Sequence, residues 1–215
     1  MSALKFENNG IRFDLQIIAS WIEPGARVLD LGCGEGDLLN YLAQRRQIAG
    51  TGIERVEARV AAGIEKGLSV LHGDINTEIL DYADNSFDYV ILSQTLQQVY
   101  APDNLIGSMM RVGRRAIVSF PNFSHWGVRL QVIFTGYAPI TQQLPYQWYD
   151  TPNIRVITLK DFRKFAHDVG VDVLKEVAIN THSQNRHGTI IRIFPNLRAT
   201  YGIFMVGKRQ GKRLS

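Results

Sequence analysis

The sequence has a single cysteine, Cys33, in 215 residues. That excludes an internal disulfide and any zinc cluster built on cysteines, and no metal site is expected. It has no apolar run of membrane-spanning length. The opening MSALKFENNG has no apolar core of the kind a secretion signal needs. A soluble, cytoplasmic chain with no membrane partner is the expectation. Acidic residues also run out: none follows Glu176. The last 39 residues carry seven cations, namely Arg186, Arg192, Arg198, Lys208, Arg209, Lys212 and Arg213. With a net charge of +4 overall, everything before them sums to −3. A basic C-terminal face can meet a polyanion. Yet Phe194, Tyr201 and Phe204 near it sit in apolar, strand-like runs, not interleaved with the cations as in RNA-binding surfaces. A nucleic-acid partner is therefore disfavoured, and a basic tail at about 208–215 is read as a solvated end.

A hydrophobic fraction of 45% with 20% charged residues leaves no disorder signature. The length suits one domain with a substantial core. Helical spacing runs from Asn9 to Trp21, with Ile11, Leu15, Ile18 and Ile22 on one face, and Pro24-Gly25 ends it. Short apolar strands follow at Arg27–Leu31, Gly50–Ile53, Ser69–His72, Phe87–Leu92 and Arg115–Phe120. Between them lie helical patterns at Asp37–Gln47, Val56–Lys66 and Pro102–Val112. Strands alternating with helices predict βαβ units and a parallel sheet. Apolar runs such as YVIL and AIVSF fit strands covered on both faces. A further helix at Leu159–Val169 precedes strands at Val171–Ala178 and Thr200–Val206, expected to finish the sheet in antiparallel fashion.

One stretch breaks this rhythm. Residues 121–153 hold four of the seven prolines and two of the three tryptophans. They also hold Phe123, Phe134, Tyr137, Tyr146 and Tyr149, but only two formal charges, Arg129 and Asp150. A connection this long is usually functional or has structure of its own. An aromatic, nearly uncharged insertion suits a pocket lid or a protein interface, or an inserted helix packed as extra core.

The chemistry concentrates at Asp30-Leu31-Gly32-Cys33-Gly34-Glu35-Gly36. Strand, glycine turn and helix let a ligand approach the backbone at a helix N-terminus. The dinucleotide spacing is G-x-G-x-x-G. Here the third glycine comes early, at Gly36, and Asp37 takes its place. Asp30 would repel a pyrophosphate but attract the ammonium and sulfonium of S-adenosylmethionine (SAM). Glu54, 24 residues on at the end of the second strand, is placed for two ribose hydroxyls. Asp74 ends the third strand and can accept the adenine amino group, with Ile75 against the ring, or cap the next turn. Ser93, Gln94 and Thr95 end the fourth and would border the methionine part. The expected SAM-binding set is therefore Asp30, Gly32, Gly34, Gly36, Glu54, Asp74, Ile75 and Ser93.

These features resemble class I SAM-dependent methyltransferases. That implies a Rossmann-like α/β fold with helices on both faces of a mostly parallel seven-stranded sheet and an antiparallel final strand. Leu92-Ser93-Gln94-Thr95-Leu96-Gln97-Gln98, Phe120-Pro121-Asn122-Phe123, His125-Trp126, Leu144-Pro145-Tyr146 and the string Trp148-Tyr149-Asp150-Thr151-Pro152-Asn153-Ile154 narrow the resemblance. Over roughly residues 8–208 the chain resembles the methionine biosynthesis protein MetW family. One position departs: where the resemblance implies histidine, the chain has Arg155. The resemblance implies a SAM-binding partner that supports or activates a homoserine O-acyltransferase. The chain itself lacks a G-x-S-x-G nucleophile elbow. The alternative is an active methyltransferase on a small molecule, since transfer from a sulfonium can rest largely on positioning. Its polar candidates near the methyl are Gln94, Asn122, His125 and Tyr149. No Asn/Asp-Pro-Pro-Tyr/Phe string follows the fourth strand, which separates the chain from amino-group methylators of DNA and protein.

Overall fold

The computed structural model describes residues 10–181 and 185–209. The elements in chain order are α1 (Phe13–Ser20), β1 (Arg27–Leu31), α2 (Asp37–Arg46), β2 (Ala49–Glu54), α3 (Glu57–Glu65), β3 (Ser69–His72), α4 (Ile75–Glu78) and β4 (Phe87–Ser93). Then come α5 (Pro102–Val112), β5 (Gly113–Pro121), α6 (Trp126–Thr135), α7 (Leu159–Asp168), β6 (Val171–Thr181), β7 (Gly188–Ile190), α8 (Pro195–Arg198) and β8 (Tyr201–Lys208).

The strands form one sheet in the order β3-β2-β1-β4-β5-β8-β6-β7. Strands β1 to β5 pair in parallel. β8 enters antiparallel between β5 and β6. The short β7 adds an eighth strand at the edge, antiparallel to β6 over Ile179–Thr181. The periodicity missed it because three residues, Gly-Thr-Ile, are too few to show an alternation. The strands expected at 171–178 and 200–206 do pair antiparallel, but β7 and α8 lie between them in the chain.

Alternate residues of each central strand feed two cores, as the period of two requires. Val90, Leu92, Ala116, Val118 and Phe120 pack with Leu105, Met109 and Phe162 of α5 and α7. Tyr89, Ile91, Ile117, Ile203 and Met205 pack with α1 and α2 on the other side. α7 starts with a reciprocal cap: Thr158 accepts from the Asp161 amide, while the Asp161 carboxylate accepts from the Thr158 amide.

α1 departs from the one-sided helix that its spacing predicts. Every residue from Phe13 to Ala19 is buried, including Asp14 and Gln16. The Gln16 amide donates to the carbonyls of Ile11 and Arg186, and the Phe13 amide donates to Asn185. The loop before β7 thus covers the face that would otherwise meet water. Asn9, where the helix was expected to begin, lies outside the described residues, as do Lys212 and Arg213. In the described part of the basic end, Arg209 lies 3.3 Å from Asp172 and Lys208 donates to the Asn85 side chain.

Candidate functional site

The C-terminal ends of β1 to β4 open into a cavity of about 680 Å³. This is the edge at which open α/β sheets bind ligands. Asp30, Gly32, Gly34, Glu54, Asp74, Ile75 and Ser93 all line it, and so does Gln94. Gly36 stands just outside, as the N-cap of α2. Among the described residues, the lining includes five carboxylates (Asp30, Glu35, Asp37, Glu54 and Asp74) against three guanidinium groups. Such a lining favours a cationic ligand over a phosphorylated one.

The turn depends on its glycines. Gly32, Gly34 and Gly36 all have left-handed backbones, with φ of 73°, 59° and 77°. A Cβ on Gly32 would lie 2.9 Å from the Thr95 hydroxyl. One on Gly34 would meet nothing within 4 Å, so there the backbone faces open space. The Gly32 and Cys33 amides donate to the Ile53 carbonyl, which fixes the turn to β2.

Asp30 is 3% exposed, and its Oδ1 accepts no hydrogen bond among the described residues. Burial pushes its pKa up to about 7, against the opposing pull of Arg12 and with a smaller push from Glu54. A buried carboxylate with an unused oxygen, facing a cavity, has the chemistry of a cation receptor. Burial, together with the Asp30 and Glu54 charges, pushes the neighbouring Cys33 thiol far up. Cys33 is thus an unreactive thiol that packs into the space Gly52 leaves: a Cβ there would sit 2.5 Å from its sulfur.

Glu54 has a role the sequence did not reveal. Its Oε2 accepts from the Gly34 amide at 2.9 Å, and its Oε1 from the amides of Arg55 and Val56. The carboxylate braces the glycine turn from β2 while lining the cavity. Asp74 caps α4, with Oδ1 accepting from the Asn76 amide at 2.8 Å. Ile75 packs against the core beside it.

Arg12 and Asp14 were not anticipated. Asp14 is 2% exposed and takes two hydrogen bonds from Arg12, at 3.2 and 3.0 Å. It takes a third from the Gln94 side-chain amide at 2.7 Å. Gln94 itself has a left-handed φ of 54°, and its amide donates to the Ser119 carbonyl. Such strain in a non-glycine residue persists only where the surroundings enforce it. The one sequence signal was an acid inside the apolar run of α1. Its partner Gln94 lies 80 residues away, beyond any local pattern.

The four polar candidates near the methyl do not converge. Only Gln94 is in this cavity. Asn122 and His125 line a second one of about 370 Å³, which has no Asp, Glu, Lys or Arg in its lining among the described residues. The Asn122 amide donates to the carbonyls of Asn196 and Ala199, and its oxygen accepts from Ser124. His125 Nδ1 accepts from the Gly127 amide at the start of α6, and burial lowers its pKa. Tyr149 is 70% exposed and lines neither cavity. Its ring packs edge-on against Trp148, centroids 5.7 Å apart.

The specific string ending at Ile154 reaches the cavity from behind. The Ile154 and Arg155 amides both donate to the Gln97 carbonyl, at 2.9 and 3.0 Å. The Arg155 guanidinium donates to the carbonyls of Val99, at 3.3 Å, and Tyr100. Val99 and Tyr100 form part of the cavity wall. Arg155 therefore straps the aromatic insertion to the site.

The strand order, the antiparallel β8 and the cavity at the β1–β4 ends define the class I fold of SAM-dependent methyltransferases. A Thermotoga maritima SAM-dependent methyltransferase, described as a possible histamine N-methyltransferase, superposes with a TM-score of 0.66 at 18% identity. The match covers 92% of this chain and 88% of that one. Within that class, the chain belongs to the methionine biosynthesis protein MetW family, whose model matches residues 12–206. A bifunctional methionine biosynthesis protein MetXA/MetW from Rhodopirellula baltica is 35% identical over 176 residues, or 78% of this chain. A ubiquinone biosynthesis O-methyltransferase from Hahella chejuensis is 38% identical over 96 residues, or 42% of this chain. The matches span 28% and 40% of those two proteins. No helix among the described residues is long and apolar enough to cross a membrane.

Proposed function

We propose that this chain binds SAM, or its demethylated product, at the β1–β4 cavity and supports or activates a homoserine O-acyltransferase in methionine biosynthesis. The observation that carries the ligand reading is the buried Asp30 carboxylate with its unpartnered oxygen beside the glycine turn. Asp30 would hold the ligand's ammonium. Glu54 keeps lone pairs for ribose hydroxyls while bracing Gly34. Asp74 and Ile75 would flank the adenine, and Arg12 and Gln94 would border the amino-acid end. When bound, SAM supplies a cationic sulfonium whose methyl is electrophilic.

The partner reading is supported by the MetXA/MetW relative, in which both names belong to one polypeptide. The MetXA part is read as the acyltransferase. SAM lies downstream of homoserine acylation. A SAM-binding subunit can report its level through unequal affinity for two states of the complex. The Arg155 strap offers a physical route, since it joins the cavity wall to the insertion. The test is a titration of acyltransferase activity with this protein, with and without SAM. Activity that depends on the protein is expected, and activity indifferent to it would sink the reading.

A second reading is methyl transfer onto a small molecule. The Hahella chejuensis relative favours it. Against it, the cavity brings only Gln94 of the four polar candidates near the ligand. Consumption of SAM in the presence of homoserine derivatives decides between the two.

A further inference from the structure

α6 is built unlike the other long helices. α5 buries five residues and α7 three, but of the ten in α6 only Val128 is buried. Trp126, Leu130, Ile133 and Phe134 are exposed and follow the i, i+4, i+7, i+8 spacing of one helix face. Ile133 and Phe134 are 70% and 79% exposed. An apolar stripe of this kind adds little to folding. It is the form in which a helix presents itself to a second surface.

Two further segments carry exposed aromatic residues. Downstream of α6, Tyr137, Tyr146, Trp148 and Tyr149 are exposed. The other is α8 with the residue that precedes it, fastened to the turn ahead of α6. Asn122 donates to the Asn196 carbonyl at 3.0 Å, and Asn196 donates to the Ser124 hydroxyl at 2.9 Å. Phe194, the N-cap of α8, has a left-handed φ of 49° and is 72% exposed. A bulky aromatic in that conformation, turned to water, is strained without any gain in burial.

The chemistry of this surface restricts what can cover it. The one charged side chain on α6, Arg129, points back to the Ser124 carbonyl at 2.9 Å and to the Ser124 hydroxyl. A membrane-surface helix would carry cations on its polar face, and a nucleic-acid site would offer them to phosphates. Aromatic enrichment with depleted charge is the composition of the centre of a protein interface. Apolar faces of this extent belong to lasting complexes, because a face uncovered between encounters invites aggregation.

We infer that the homoserine O-acyltransferase docks on the apolar stripe of α6, with an apolar, uncharged surface of its own centred on Ile133 and Phe134. The inference rests on the partner reading above and adds its location. In the MetXA/MetW relative the two parts are permanently joined. A permanent partner is the kind that such a face requires.

The test measures binding of the full chain to the acyltransferase of the same organism. Phe134→Glu and Ile133→Glu alter side chains that are mostly in solvent, so both variants should fold, which thermal unfolding verifies. Ile64→Glu, on α3, is the control, being 55% exposed and away from α6. At least tenfold weaker binding is expected for the two variants, with the control unchanged. If wild type binds and both variants bind equally well, the face is wrong and the partner reading stands. If wild type does not bind, the partner reading itself fails. If the chain instead self-associates and Phe134→Glu disperses it, the face serves a second copy and the assigned occupant is wrong.

Discussion

The two halves of the sheet's C-terminal edge follow opposite designs. Over β1 to β4 the site is charged and internally bonded: Glu54 holds Gly34, and Asp14 holds both Arg12 and Gln94. Over β5 and β8 the second cavity has no charged lining among the described residues, and α6 above it turns its apolar side chains outward. The first half is organised to receive a small cation. The second is organised around surface that remains to be covered. On the proposed function, one fold divides recognition of a metabolite from recognition of a macromolecule, with Arg155 between them.

The largest expected effect falls on Asp30. Asp30→Asn should weaken SAM roughly 30- to 100-fold, as expected for loss of a buried charge pair, measured by calorimetric titration. The same substitution should stabilise the unliganded protein. Asp30 has a raised folded pKa, so the folded state binds more protons than the unfolded one between about pH 4 and about pH 7. Its contribution to stability thus falls as pH rises through that window. The asparagine variant should gain on the order of 2 kcal/mol at pH 7.5 in thermal unfolding. A loss of both affinity and stability would mean that Asp30 braces the fold and does not wait for a ligand.

The pH dependence of binding is the next largest effect. SAM affinity of the wild type should rise roughly five- to tenfold from pH 6 to pH 7.5, as Asp30 ionises. The asparagine variant should give a flat profile, and parallel profiles would remove Asp30 from the site. Smaller still, Arg155→Ala should weaken SAM about threefold to tenfold by freeing the Val99–Tyr100 wall, on the scale of one or two hydrogen bonds. If instead only the response of the acyltransferase to SAM is lost, the strap transmits and does not shape the cavity. The smallest effect is expected at Phe194→Gly, which relieves a left-handed backbone. It should stabilise the chain by about 0.5 kcal/mol in thermal unfolding while weakening the acyltransferase complex.

The charged half was largely legible in the sequence, and the reason is local. Asp30, the three glycines, Glu54 and Asp74 sit at strand ends, where strand periodicity and turn chemistry mark them. What was missed there depended on distance along the chain. Nothing beside Asp14 points to Gln94, and nothing beside Glu54 points to the Gly34 amide. The apolar half was legible only as composition. Its aromatic content predicted an unusual segment, but core and interface use the same residues. Asn122 and His125 read equally well as reactive groups or as turn and cap residues until their bonding partners were known. β7 was hidden by its brevity and α1 by burial on every side.

The far edge of the sheet deserves a last consideration. Among the described residues β7 covers β6 only at Ile179–Thr181, so the stretch from Val171 to Ala178 has a strand on one side alone. That open stretch carries a register shift between Val173 and Lys175, with Asp172 paired to Arg209 and Glu176 to Arg163. An irregular strand carrying charges is a poor template for another chain's backbone. The protein thus withholds its ladder edge from intermolecular pairing while it displays aromatic side chains elsewhere. Assembly through side chains can be altered one residue at a time, whereas strand addition recruits almost any extended peptide.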